Sequence, residues 1–168
     1  ALSLATIEVA VTDADSGQGL PCRITIVDKQ GALAPVYASP EQQLAVRAGV
    51  VYTRDGLALL GVPPGDYTLH ATRGFEYGLD SRELQISSGE SRQVRMQIHR
   101  EVPTPGLASC DTHIHTLTHS GHGDSTIDER MLTIAGEGIE LAVATDHNYH
   151  ADYTGPAQRM RVQDRFTA

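Results

Sequence analysis

The chain has 168 residues and a formal net charge of −8. That length admits one or two domains, and the acidic balance disfavours a nucleic-acid partner, because phosphate binding calls for a basic patch. No apolar run approaches the roughly eighteen residues of a membrane-spanning helix, and Ala1 to Val11 are too polar, without a basic start, to read as a signal peptide.

Taken in order, the first hundred residues predict strands. Thr6 to Thr12 alternates, with Ile7, Val9 and Val11 on one face, as a half-buried strand does. Pro21 to Val27 alternates again, with Cys22, Ile24 and Ile26 together. Asp28-Lys29-Gln30-Gly31 is a tight-turn signal. Ala32 to Arg47 is weakly patterned, and Pro35 and Pro40 argue for a long excursion. Val50 to Thr53 and Leu57 to Leu60, around Asp55-Gly56, predict a hairpin. Tyr67 to Arg73 is a strand with Tyr67, Leu69 and Ala71 inward and His70 outward. Arg82 to Ile86 and Ser91 to Ile98 are the last strands, and His99 reads as surface. Short strands with turn signals at this spacing predict a β-sandwich. Val102-Pro103-Thr104-Pro105-Gly106 has the composition of a stiff linker. The expected domains are therefore 1–102, a linker at 103–106, and 107–168.

The last third reads differently. Of eight histidines, all but His70 and His99 lie between His113 and His150. In a strand, Asp111, His113 and His115 share a face. Imidazoles about 7 Å apart along that strand, at ~3.3 Å per residue, converge on one ion or two adjacent ions. Thr118-His119-Ser120-Gly121-His122-Gly123-Asp124 follows as a glycine-rich loop with two further histidines and a carboxylate. Thr126 and Glu129 form a capping-box pattern before a helix whose apolar positions are Ile127, Met131, Ile134 and Ala135. Gly136 and Gly138 are its stop signal, with Gly138 the left-handed cap. Ile139 to Thr145 reads as a buried parallel strand that delivers Asp146 and His147 at its carboxyl end. A divalent ion (Zn, Mn or Fe) is the expected cofactor, since neutral imidazole suits such ions. Asp146 is placed as the residue that orients a ligand or shuttles a proton. The two cysteines fall in different predicted domains: Cys22 reads as core, and Cys110 as facing away from the His-x-His face.

At this point the residues resemble a family. Asp-Thr-His-Ile-His at 111–115, the Gly/Asp loop, and Thr-Asp-His-Asn at 145–148 look like the first two motifs of the PHP (polymerase and histidinol phosphatase) domain, and most of all its CehA/McbA-type branch, which includes carbaryl hydrolases. The resemblance covers about 109–168. It implies a distorted (β/α)7 barrel with two or three divalent metals, and on that pattern His113, His115 and His147 match metal ligands. His119, His122 and Asp124 all lie near the place of the loop ligand; His122 and Asp124 are favoured and not separated. The segments Gly19 to Gly31 and Leu59 to Gly78 are similar to carboxypeptidase-regulatory-like, or transthyretin-like, domains, which implies a Greek-key sandwich without catalysis and a periplasmic or secreted setting. The expected fold is thus mainly β: a Greek-key β-sandwich followed by the first β-α-β portion of a PHP barrel.

A barrel of that kind needs roughly two hundred residues, and no later motif follows before Ala168. The chain is therefore expected to be a fragment, inactive by itself, of a metal-dependent hydrolase that cleaves a small phosphoester, ester or carbamate with metal-activated water. The alternative is a non-catalytic β-sandwich binding or assembly module with a vestigial metal motif. It calls for exposed aromatics among Phe75, Tyr77 and Tyr37. A lone β-α-β unit cannot bury both faces of its sheet, so it must dock on the sandwich, pair with another copy in a homo-oligomer, or lie partly disordered.

Overall fold

In the computed structural model the described residues are 4–168. Of the opening stretch read as lacking signal-peptide features, 1–3 lie outside the described residues.

Alternation in sequence becomes alternation in burial. β1 (Ala5–Asp13) turns Ile7, Val9 and Val11 inward, and β2 (Cys22–Asp28) turns Cys22, Ile24 and Ile26 inward. β3 (Ala45–Arg47), β4 (Val50–Thr53), β5 (Leu57–Val62), β6 (Gly65–Thr72), β7 (Asp80–Ile86) and β8 (Ser91–Ile98) follow. They form two sheets, ordered β5-β1-β8 and β3-β4-β2-β6-β7. β1 runs antiparallel to β5 and parallel to β8. The inner faces meet in one core around Ile7, Ile24, Ile26, Leu60, Leu69 and Met96. Burying each such side chain contributes about 1.5–3 kcal/mol relative to leaving it in water. His70 sits on the outer face, with Nδ1 2.8 Å from Ser81 Oγ.

The sandwich departs from expectation in two places. Val50 to Leu60 is not a hairpin: β4 pairs with β2 and β3, whereas β5 pairs with β1 in the other sheet. The Asp-Gly turn carries the chain across the core. Thr53 Oγ1 organises that crossing by accepting from the backbone N–H of Asp55 (3.1 Å) and Gly56 (2.9 Å). The excursion at 32–47 also ends in a strand, β3, at the sheet edge. Its three residues are too short for a period of two to show.

The C-terminal unit comprises β9 (Cys110–Ile114), α1 (Leu117–Ser120), α2 (Ile127–Gly136), β10 (Leu141–Ala144) and α3 (Thr154–Arg159). β9 and β10 pair in parallel, so a strand–helix–strand unit forms. Among the described residues it is a two-stranded sheet, and the finer expectation of a barrel portion gains no support from it. β10 is less buried than its apolar run suggested, because Leu141 and Val143 are 40% and 38% exposed; among the described residues no second layer covers that face. No helix of the described residues is long and apolar enough to cross a membrane.

α2 is capped as its sequence requires. Thr126 Oγ1 accepts from the Glu129 backbone N–H at 3.3 Å, and the Glu129 carboxylate accepts from the Thr126 N–H at 3.0 Å. Met131, Leu132, Ile134 and Ala135 are buried in a second core with Ile114, Ala142, Tyr153 and Val162. The unit docks on the sandwich: α2 lies against β2, β3 and β4, and Ala45 belongs to the second core. Gly136 lets the helix approach, since a Cβ there would stand 2.7 Å from the Tyr52 ring. Polar clamps flank the contact. Glu137 accepts from Arg23 (2.8 Å) and from the Tyr52 hydroxyl (2.6 Å). Arg47 reaches both oxygens of Glu129, at 3.0 and 3.3 Å.

Glu129 makes this docking acid-sensitive. Burial raises its pKa, but hydrogen bonds from Arg47 and Thr126 outweigh that and hold it below its ordinary 4.5. A depressed carboxylate contributes stability above the ordinary value and loses it as pH falls through the lowered one. Protection of α2 amides against hydrogen exchange, corrected for the intrinsic rate at each pH, is therefore expected to fall below about pH 4.5 before that of the sandwich amides. Glu129→Gln should remove most of that pH dependence. Equal protection of α2 at pH 3 and pH 6 in the wild type contradicts it.

Candidate metal centre

The site lies where β9 runs out. Ile114 is buried and anchors the strand end in the second core. His113 and His115 on either side turn toward each other, with Nε2 atoms 2.7 Å apart. That is closer than an ideal strand allows, because β9 ends at Ile114 and His115 leaves the pleat. Two neutral imidazoles at this distance share one proton, or present two lone pairs to one ion.

The loop ligands come next. Thr116 caps α1, its hydroxyl accepting from the His119 N–H. Gly121 takes a left-handed conformation at the end of that turn. His122 is thereby delivered to the cluster, its ring centroid 4.8 Å from His115 and 4.9 Å from His147. The ligand atoms of His115, His122 and His147 lie within 4.8 Å of one another. His122 and His147 are exposed and His115 is half-buried.

Other predicted residues fall elsewhere. Asp124 turns toward Arg47 (3.4 Å) and Arg130 (3.9 Å) and leaves the imidazoles; two guanidinium partners outcompete a neutral cluster for a carboxylate. Asp111 folds back to accept from the His113 N–H at 3.0 Å. His119 stacks on Tyr149 with centroids 3.9 Å apart. Cys110 is a free, exposed thiol outside the cluster, and Cys22 is a buried one whose pKa burial pushes up to about 12.

Asp146 is buried behind the histidines. Its Oδ1 accepts from the Thr116 N–H (2.7 Å), the Thr116 hydroxyl (2.9 Å) and the Ser120 hydroxyl (2.7 Å). Burial raises its pKa, but those bonds outweigh it and keep the carboxyl below the usual range. Its Oδ2 is buried without a partner, as is the hydroxyl of Tyr153. Burial and the charge of Asp146 push the Tyr153 hydroxyl up to about 12. His115 is held below its ordinary value by desolvation and by repulsion from His113, His147 and His122. It therefore stands as neutral imidazole at pH 7, the form that ligates.

Sequence reasoning paired the strand histidines with His122 and His147. It missed Ser120, Thr116 and Tyr153, whose residue types give no metal signal. A cavity of about 640 Å³ opens between the sandwich and this unit, lined among others by Arg47, Tyr52, Phe75, His113, His115 and His122. Phe75 is 90% exposed on its rim, and Tyr37 is 55% exposed. Tyr77 packs beneath Arg73 and Arg100, at 5.6 and 5.9 Å.

No family model and no curated protein matches the chain. Among solved structures, the chain is similar to the minor pilin of the Gram-positive pathogen Streptococcus agalactiae, at 21% identity and a TM-score of 0.43, covering 64% of this chain and 49% of that one. It is similar to the Bacillus anthracis TIE protein at 23% identity and a TM-score of 0.42, covering 58% and 17%. A third likeness is to the major pilin subunit of Bacillus cereus, at 15% identity and a TM-score of 0.43, covering 59% and 31%. The chain thus spans less than half the length of each. Likenesses this remote carry no argument about activity. The expectation drawn from the motifs is not met. No family model matches, and none of these three proteins is described as a hydrolase. The PHP hydrolase reading, the zinc hydrolase chemistry attached to it and the carboxypeptidase-regulatory-like resemblance are therefore set aside. The reason is physical: Asp-x-His-x-His and Asp-His are short, and any strand end rich in histidine can carry them.

Proposed function

We propose that the chain is a non-catalytic β-sandwich module for binding or assembly outside the cell, and that its docked C-terminal unit holds one divalent transition-metal ion between His115, His122 and His147. The observation that carries the metal is the mutual approach of three imidazole ligand atoms within 4.8 Å. The donor set fits such an ion: imidazole suits the later first-row metals, and three protein ligands leave a fourth position open. His113 stands beside His115 and is the nearest further ligand. Asp146 belongs to the support of this site, with one oxygen held by three donors. The binding half of the reading rests on the exposed rings of Phe75 and Tyr37 and on the cavity that Phe75 shares with the histidines.

The test uses untagged protein prepared without chelator. Elemental mass spectrometry should find about one transition-metal ion per chain, or Co²⁺ added to metal-free protein should bind with the same stoichiometry. The variant His115→Ala/His147→Ala is expected to lose at least a hundredfold in Co²⁺ affinity, because only His122 of the three converging ligands is left. Failure of the wild type to bind Co²⁺ at millimolar concentration overturns the metal reading.

A further inference from the structure

We infer that Ser120 is the positioning residue of the metal centre: its hydroxyl fixes His115 in the Nδ1–H tautomer and so aims the Nε2 lone pair at the ion. This deepens the metal reading above and rests on it. The geometry leaves one consistent assignment of protons. Ser120 Oγ lies 2.7 Å from Asp146 Oδ1, 3.2 Å from His115 Nδ1 and 3.1 Å from the His147 backbone nitrogen. A carboxylate only accepts, so the single Ser120 proton goes to Asp146. The Ser120 oxygen then has only lone pairs left. It accepts from the His147 N–H and from His115 Nδ1–H. A neutral imidazole with its proton on Nδ1 has a free lone pair on Nε2.

One hydroxyl therefore ties together two of the three ligands. It sets the ring orientation of His115 through the side chain and the position of His147 through its backbone. Asp146 anchors the hydroxyl and is itself fixed by both donors of Thr116. The same assignment explains the contact with His113. With His115 Nε2 bare, the proton between the two rings belongs to His113 Nε2, 2.7 Å away. An ion entering the cluster takes the His115 Nε2 lone pair out of that hydrogen bond, and the proton stays on His113.

Two measurements test this. In metal-free wild type, long-range ¹H–¹⁵N correlation of the histidine rings should report the Nδ1–H tautomer for His115. This readout needs no substitution. Ser120→Ala should shift His115 toward the commoner Nε2–H form and weaken Co²⁺ binding roughly ten- to hundredfold, with an unchanged amide spectrum elsewhere. Ser120→Thr, which keeps the hydroxyl, should restore both. An Nε2–H tautomer in the wild type overturns the inference, as does Co²⁺ affinity in Ser120→Ala equal to wild type. A wild type with the Nδ1–H tautomer and no Co²⁺ affinity overturns the metal reading and leaves the positioning of His115 by Ser120 supported.

Discussion

Gly74→Ala is expected to destabilise the protein by about 3–5 kcal/mol, at the severe end for a single substitution. Two effects add. Gly74 has φ +59°, where a Cβ costs ~1–2 kcal/mol. The same Cβ would overlap the carbonyl oxygen of Glu137. Backbone there cannot rotate away as a flexible side chain does, so α2 must retreat from the sandwich. Glu137 also holds Arg23 and Tyr52, and retreat leaves those groups short of partners in a half-buried setting. Gly31→Ala separates the two effects. Gly31 has φ +81° and open space around its absent Cβ, so it should lose only ~1–2 kcal/mol. Chemical denaturation of both variants is the measurement. Equal losses would mean that the contact between Gly74 and Glu137 has no energetic weight.

Met131→Ala is expected to cost ~2–5 kcal/mol and to act locally. Met131 is fully buried in the second core, which shares little with the sandwich beyond Ala45 and the packed ring of Tyr52. A cavity there draws stability from α2, β9, β10 and α3, while Ile24, Leu60 and Leu69 keep their contacts. Hydrogen exchange should therefore show the C-terminal unit opening first, with the sandwich strands still protected. The metal reading adds a consequence. An ion held by His115, His122 and His147 binds only the folded unit, so saturating Co²⁺ should recover part of the loss. One cooperative transition for the whole chain, with every strand losing protection together, would show instead that the two cores fold as one.

Much of the sandwich was legible because its signal is local. Period-two alternation at Ile7/Val9/Val11, Cys22/Ile24/Ile26 and Tyr67/Leu69/Ala71 states which face is buried before any partner is known. The α2 cap was equally plain, since Thr126 and Glu129 satisfy each other within one turn. Pairing was not legible. Val50 to Thr53 and Leu57 to Leu60 carry hairpin chemistry between them, yet they join opposite sheets, because a turn residue sets a local angle and not the strand that waits beyond it. At the site, His-x-His and Asp-His announced a cluster but not its membership. Asp124 has the right chemistry for a ligand and sits in the right loop. It is drawn off by Arg47, which lies far from it in sequence and belongs to the other unit.

By itself, then, the sequence determined the alternating strands, the capped helix, the change of character near Pro103 and the concentration of histidine beyond it. These follow from short-range periodicity and from side-chain chemistry carried by each residue alone. Only the tertiary structure decided which sheet each strand joins, that α2 docks on β2, β3 and β4, that Asp146 faces Thr116 and Ser120 instead of solvent, and that three imidazoles meet while Asp124 does not. Each of those depends on groups distant along the chain competing for the same partner in space, and the outcome of that competition is set by packing and burial, which no local pattern encodes.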